Sequence, residues 1–505
     1  DSMTIRVNHF NDLDDTTYSG FYIEKFDVPM LNVSGSLSDS AGLNFGRPGA
    51  GLGIDNCKVD FKIYWHGLVE VWFDKLIVDD EWADNLYKGV YDRRIRDEAE
   101  RLGSSMVFFV DELVSSNAHA TKYVKDKLKS YNPDSKLMFA LSNNLNHHSH
   151  RNDETRSKVL FDIVKPDIVC LDDHVFQVDP DYKIYLPNNA EQYDARIPAG
   201  WKESADTYNN RLQANAFGSR NELAVPYQGT FIYQLTKIRD DLRQISPTTK
   251  FFLQPHLHSW TKVVNNIFQE GFGFREPTNQ EIQAQGMIAI AHGVESLSWI
   301  NYHSDTTTNI NSPGNPVQYF FNYGLRNFDH TKRESNIIGQ NKWEYVKAMN
   351  LKLLHWKPTL DSITWQNGYS VDTEGTGHEY ISDIRSIQRD PAPPHEFVLD
   401  DGTKYWEMGF FTPDKTSDRS RYFIMVNRRC VPDINQTGDV RQLKIKFDSA
   451  QLSGFNNWNI TELDSNHTVA TFDKRSGSYI DFELFQPGEG KLYKLAPVMQ
   501  EGGIL

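Results

Sequence analysis

The sequence predicts an α/β protein, a (β/α)8-type barrel flanked by an N-terminal jelly-roll-like β-sandwich and a C-terminal β-sandwich. Three observations lead there. At 505 residues the chain exceeds what one core can organise and suggests about three domains. Its middle alternates short apolar runs with amphipathic helical stretches, the rhythm of βα units around a parallel sheet. On either side of that middle the pattern is alternating strands separated by turn residues. The expected domains are residues 1–95, 96–355 and 356–505.

Taken in order, residues 1–95 alternate polar and apolar side chains at 20–26 and 59–65, carry a strand pair at 68–78 and have glycine-rich turns at 42–53. Such alternation belongs to half-buried strands, and a jelly-roll closes a set of them. In the middle, apolar strands are expected at 106–110, 137–141, 167–171, 251–253 and 296–300. Helices are expected near 117–131 and 153–165, and where Phe231, Leu235, Ile238, Leu242 and Ile245 form one stripe. Another is expected over the almost wholly apolar 281–293, with Thr278 or Asn279 as its cap. Five strands fall short of a closed barrel. The others are expected within 185–225, near 315–325 or upstream of residue 1, and an open doubly wound sheet is the alternative. From about 360 onward, strands at 406–411, 422–426, 443–447 and 491–495 compose the second sandwich.

Composition narrows the function. Lys+Arg 53 against Asp+Glu 68 leaves a net charge of -15, a field that opposes nucleic acid and anionic lipid and mildly opposes polyanionic glycans. The aromatic content of 13% suits sugar-stacking faces and sandwich cores alike. Cys57, Cys170 and Cys430 stand too far apart for a zinc signature or a disulfide framework, and no metal or other cofactor is expected. No stretch approaches the length of an apolar membrane span. Asn32, Asn435, Asn459 and Asn466 open glycosylation triplets, which also arise by chance; an extracellular or cell-surface location is the expectation. The chain opens on Asp1-Ser2-Met3 and closes on Gly502-Gly503-Ile504-Leu505, and both ends read as cut from a longer polypeptide with further domains.

Every expected barrel strand runs into polar residues. The first leads to Asp111 and Glu112, the second to Ser142, Asn143 and Asn144, the third to Asp172, Asp173 and His174. The fourth leads to Gln254, His256, His258 and Trp260, and the last to Asn301, Tyr302 and His303. In α/β folds the carboxyl ends of the strands share one rim, so these groups would converge on one mouth. Strand ends also meet water, and polar residues gather there for that reason alone. Glu112 follows an apolar run, and partial burial would raise its pKa as a general acid requires. Its bland alternative is a helix-capping role for this segment. Asp111 is expected to point the other way and anchor the loop. Asp172 and Asp173 supply the second carboxylate, with Asp172 preferred because only one of the pair can face the mouth. Glycosidic cleavage needs two carboxyls about 5 Å apart for retention, and up to about 9.5 Å for inversion. Glu276 and Glu295 stand outside this set. His147, His148 and His150, or His256 with His258, could ligate a metal, although no further ligand stands out and His-rich loops are more often solvated turns. Trp260 and Trp299 fit a sugar platform and core packing equally.

The run 108–113, the element 165–174, the segments 274–278 and 280–299 with Ala289-x-Ala-His-Gly before a strand, and Asn427 after a strand resemble glycoside hydrolases of the β-galactosidase-like barrel clan, family-42-like. The resemblance spans roughly residues 96–345 plus the terminal sandwich. It implies an acid/base Glu at a strand end, which Glu112 matches, and a nucleophilic Glu at a later strand end, where this chain has Gln254. That departure leaves Asp172 or Asp173 as the second carboxylate, or a chain that binds glycans without cleaving them. Hydrolysis of glycosidic bonds in an oligo- or polysaccharide is the leading expectation. A non-catalytic glycan-binding or structural extracellular protein and a metal-dependent hydrolase are the alternatives.

Overall fold

The structure, a computed structural model, describes residues 85–103, 107–111, 113, 118–142, 156–172, 231–264, 267–268, 277–300, 302–309, 318–326, 331–332, 341–371, 377–388, 398–399, 406–428, 440–452 and 454–498. The expected N-terminal sandwich and the 185–225 region lie outside these residues. The chain divides into two compact units, Asp1–Val78 and Asp79–Leu505, and every described residue belongs to the second.

That unit opens on helix α1 (Asp92–Leu102), so the last residues assigned to an N-terminal β-domain are helical. Then follow β1 (Val107–Val110), α2 (Ala118–Tyr131), β2 (Lys136–Ser142), α3 (Arg156–Val164), β3 (Ile168–Asp172), α4 (Phe231–Ile245) and β4 (Lys250–Gln254). Next come β5 (Ser259–Val264), β6 (Ile267–Phe268), α5 (Asn279–Ala291), β7 (Ser296–Leu297), β8 (Asp305–Asn309) and β9 (Gln318–Tyr323).

Strands β1, β2, β3, β4 and β7 form one parallel sheet in that spatial order. Each step moves to the next neighbour without reversal. A barrel uses this order, whereas a doubly wound sheet reverses direction part-way. Among the described residues the sheet ends at β1 and β7 and is not closed. The stretch near 315–325 does hold a strand, but β9 runs antiparallel between β5 and β8 in a separate sheet, ordered β6-β5-β9-β8. It therefore adds nothing to the parallel set. A short apolar run encodes extended backbone and not the direction of its partner.

The two faces of the parallel sheet differ. Leu137, Phe139, Leu141, Val169, Leu171, Phe251 and Leu253 share one core with the helical stripe of Phe231, Leu235, Ile238 and Leu242. Because side chains alternate along a strand, Ala140, Cys170, Asp172 and Gln254 face away from those helices.

Helix α5 is set by a capping box. Thr278 Oγ1 accepts from the Glu281 amide at 3.1 Å, and Glu281 Oε2 accepts from the Thr278 amide at 2.9 Å. The helix is buried almost all round, as a helix apolar on every side must be. The reason lies in the next layer. After α6 (Lys342–Leu360), which crosses the expected boundary at 355, come β10 (Ile363–Val371), β11 (Ile381–Gln388), β12 (Val398–Leu399), β13 (Trp406–Pro413) and β14 (Arg421–Asn427). They are followed by β15 (Arg441–Phe447), β16 (Asn457–Glu462), β17 (His467–Asp473), β18 (Ile480–Phe485) and β19 (Gly490–Pro497). One antiparallel sheet is ordered β10-β13-β14-β19-β16-β17 and the other β12-β11-β15-β18.

The six-stranded sheet is covered on both sides. Trp406, Met408, Phe410, Phe423 and Met425 pack toward the four-stranded sheet. Phe411, Tyr422, Ile424, Val426 and Leu492 join α5 in the core of the parallel region. Close approach of α5 needs glycine beneath it: a Cβ on Gly409 would lie 2.5 Å from the Ala291 carbonyl oxygen. At the end of α5 the buried His292 meets Glu407 of β13, Nε2 to Oε2 at 2.8 Å. Ser370 Oγ donates to the same carboxylate at 3.0 Å, and Arg428 Nε lies 3.1 Å from its other oxygen.

Candidate functional site

The carboxyl ends of the parallel strands bring Ser142, Asp172 and Gln254 into one row, because Ser142 pairs with Asp172 and Asp172 with Gln254 in the ladder. Asp111 follows β1. Val110 is in register with Phe139, and the Leu113 amide donates to the Ala140 carbonyl, so Asp111 stands beside Ala140 near the same rim. It continues the alternation of Val107 and Phe109, which puts its side chain on the face away from the helices.

Asp172 is buried, with 7% exposure, among Cys170 and the neighbouring strands. Burial pushes its carboxyl up to about 7, and the negative charge of Asp111 adds to the rise. Ionising Asp172 therefore costs free energy in the folded protein, and near neutrality the group holds and releases a proton. Burial likewise pushes the Cys170 thiol well above its ordinary range, so it stays protonated and contributes packing.

The other expected residues fall into three groups. Glu112, Asn143, Asn144, Asp173, His174, Glu276, Asn301 and the loop histidines His147, His148 and His150 lie outside the described residues. Trp260 contributes its backbone to β5.

His256, His258 and Trp299 are described, the two histidines buried and Trp299 half-buried. His256 and His258 are buried with ring centroids 4.5 Å apart, and His256 Nε2 is engaged by the His258 carbonyl at 2.6 Å. The His256 backbone is clamped by Gln285 of α5, which accepts from its amide at 2.9 Å and donates to its carbonyl at 3.1 Å. Trp299 turns toward α6, where its Nε1 donates to Asn350 Oδ1 at 2.8 Å. Glu295 lies at the opposite end of β7, 3.7 Å from Arg239.

Tyr302 and His303 form the third group, exposed beyond the end of β7. A polar recess of about 380 Å³, lined by Lys129, Lys136 and Asp167 among others, sits at the amino ends of β2 and β3, away from Asp172. Among the described residues no three His, Cys, Asp or Glu side chains are grouped to hold a metal ion, and no helix is long and apolar enough to cross a membrane.

No protein-family model matches the sequence, and no curated protein matches it. Solved structures overlap it in part. With the apo exo-carrageenase GH42 from Bacteroides ovatus it shares 10% identity over 81% of this chain and 56% of the other, with a TM-score of 0.34. A catalytic mutant of a GH42 β-galactosidase from G. stearothermophilus gives 8% identity over 76% and 67%, with a TM-score of 0.31. The β-galactosidase from the psychrophilic Marinomonas ef1 gives 10% identity and a TM-score of 0.24; the match covers 49% of this chain and spans only 27% of that one. TM-scores of this size describe partial overlap. The likeness to glycoside hydrolases is loose.

Proposed function

We propose that this chain hydrolyses glycosidic bonds in an oligo- or polysaccharide, with Asp172 as the proton-donating acid. The second carboxylate comes from the end of β1, where Asp111 is described and Glu112 adjoins it. The observation that carries this reading is the buried carboxyl of Asp172, raised to about 7 beside a second acid at the mouth of a parallel sheet. Pairs of carboxyls driven apart in proton affinity mark acid/base chemistry. Asp172 protonates the leaving glycosidic oxygen as the bond to the anomeric carbon breaks. The ionised partner either attacks that carbon or takes a proton from the attacking water. Backbones two strands apart stand about 10 Å from each other, and side chains reaching inward from them span a sugar ring.

The acid role thus passes from Glu112, which sequence alone favours, to Asp172. A carboxyl that keeps its proton near neutral pH at the mouth of a parallel sheet is what acid catalysis uses, which is why the catalytic reading is preferred.

Release of reducing sugar from a panel of neutral polysaccharides tests the proposal. The wild-type chain is expected to release sugar, and Asp172→Asn to lose roughly 10²–10⁴-fold in turnover. The wild-type rate should fall as pH rises through about 7, where Asp172 gives up its proton. Turnover unchanged in Asp172→Asn would remove the assignment.

A further inference from the structure

A second carboxylate can attack the sugar or activate water, and the strand register separates these two roles. Asp172 lies on β3, in register with Ser142 of β2 on one side and Gln254 of β4 on the other. Neighbouring strands stand about 4.8 Å apart. A nucleophilic carboxylate, which needs roughly 5 Å to its acid, would sit at one of those two flanking positions. Serine and glutamine fill them, and neither carries a carboxylate.

The acid whose charge reaches Asp172 is Asp111. It follows β1, which lies beyond β2 in the sheet. Asp111 stands beside Ala140, and Ala140 pairs with Cys170, two residues before Asp172. Asp111 is therefore two strands across and two residues down, a backbone separation of roughly 12 Å. Two aspartate side chains reaching straight toward each other close roughly 5 Å of that. About 7 Å is left between the carboxyls, within the span for inversion and beyond that for retention.

The two acids also differ in their access to water. Asp172 is buried, whereas Asp111 is exposed. Phe108 and Val110 pack against the core shared with the helices, which leaves Asp111 on the opposite face, the one Asp172 occupies. We infer that Asp111 is the general base of an inverting hydrolysis, acting on a water lodged between its carboxylate and the sugar.

The proposal rests on the hydrolase reading. Asp172 gives its proton to the leaving glycosidic oxygen as that oxygen parts from the anomeric carbon. Water attacks the same carbon from the opposite side, and its proton passes to the Asp111 carboxylate. No bond forms between protein and sugar, and one water is consumed for each linkage cleaved. Asp111 then returns its proton to the solvent it faces, and Asp172 takes one up.

The test is proton NMR of the full chain digesting β-linked galactan, xylan and mannan, read before the released sugars mutarotate. The first product seen should be the α anomer. Intact mass should show no covalent adduct after incubation with an activated, fluorinated glycoside of the sugar released. Asp111→Asn, a change at an exposed side chain, should lose roughly 10²–10⁴-fold in turnover.

The β anomer released first, a glycosyl adduct, or turnover that persists in Asp111→Asn overturns the inference. Loss of turnover in Asp172→Asn would leave the hydrolase reading standing after any of these. A wild-type chain that cleaves none of the three polysaccharides removes both.

Discussion

Glu407 on the six-stranded sheet and Asp172 at the end of the parallel sheet are both buried carboxylates, and they differ in the named groups that face them, Arg428 and His292 for the first and the acid Asp111 for the second. Glu407 is met by His292, Ser370 and Arg428, so groups of complementary charge and donors surround it. Asp172 has Asp111 in range of its charge and lies against apolar strand residues, and its pKa climbs to about 7. The first arrangement holds an element in place. The second makes a proton the favoured companion, and only that kind of carboxyl can hand one over near neutral pH. Burial by itself does not mark a reactive acid; what stands opposite the buried charge decides.

The contrast breaks most directly at Glu407. Glu407→Ala leaves Arg428 and His292 buried without their carboxylate, and a loss of about 3–5 kcal/mol is expected from urea midpoints at constant m-value. A loss below about 1 kcal/mol would reduce this network to the standing of a surface ion pair.

At Asp172 the sign reverses. Its folded pKa lies above the ordinary 3.8, so the native state keeps a proton that the unfolded chain has released. The stability this gives is full below about pH 4 and is lost as pH rises through about 7, on the order of 4 kcal/mol at most. Asp172→Asn should therefore flatten the stability–pH curve across that window and be more stable than wild type at about pH 8. A wild-type curve already flat there would erase the distinction between the two carboxylates.

Two smaller changes sharpen the comparison by loosening α5 without touching either acid. Gly409→Ala drives a methyl into the Ala291 carbonyl and should cost about 1–3 kcal/mol. Thr278→Ala removes the cap and should cost about 1 kcal/mol. Neither should alter the pH dependence assigned to Asp172; a shift of that profile in either variant would mean that α5 reaches the mouth.

Much of this architecture is written locally. Four of the five parallel strands are built on apolar runs, α4 shows its stripe from Phe231 to Leu242, and α5 announces itself through Thr278 and Glu281. What escapes the sequence is longer in range or weaker in pattern. Apolar residues on α6 are spread around the helix, with Leu351 and Leu354 exposed and Val346, Met349 and Trp356 buried, so no single stripe stands out. The antiparallel pairing of β9 depends on partners tens of residues away. The face taken by Asp111 was open in principle through its alternation with Val107 and Phe109. In a strand apolar on both sides, however, periodicity cannot say which face meets the helices. His292 and Glu407 are separated by more than a hundred residues, and nothing near either one signals the other.

The burial of α5 between two sheets governs how this polypeptide can be divided. Severed near residue 355, the C-terminal strands would present Tyr422, Ile424, Val426 and Leu492 as a greasy floor open to solvent. The terminal sandwich is thus no portable cassette that recombination could lift out and graft elsewhere. It is one wall of a room whose other wall is the parallel sheet.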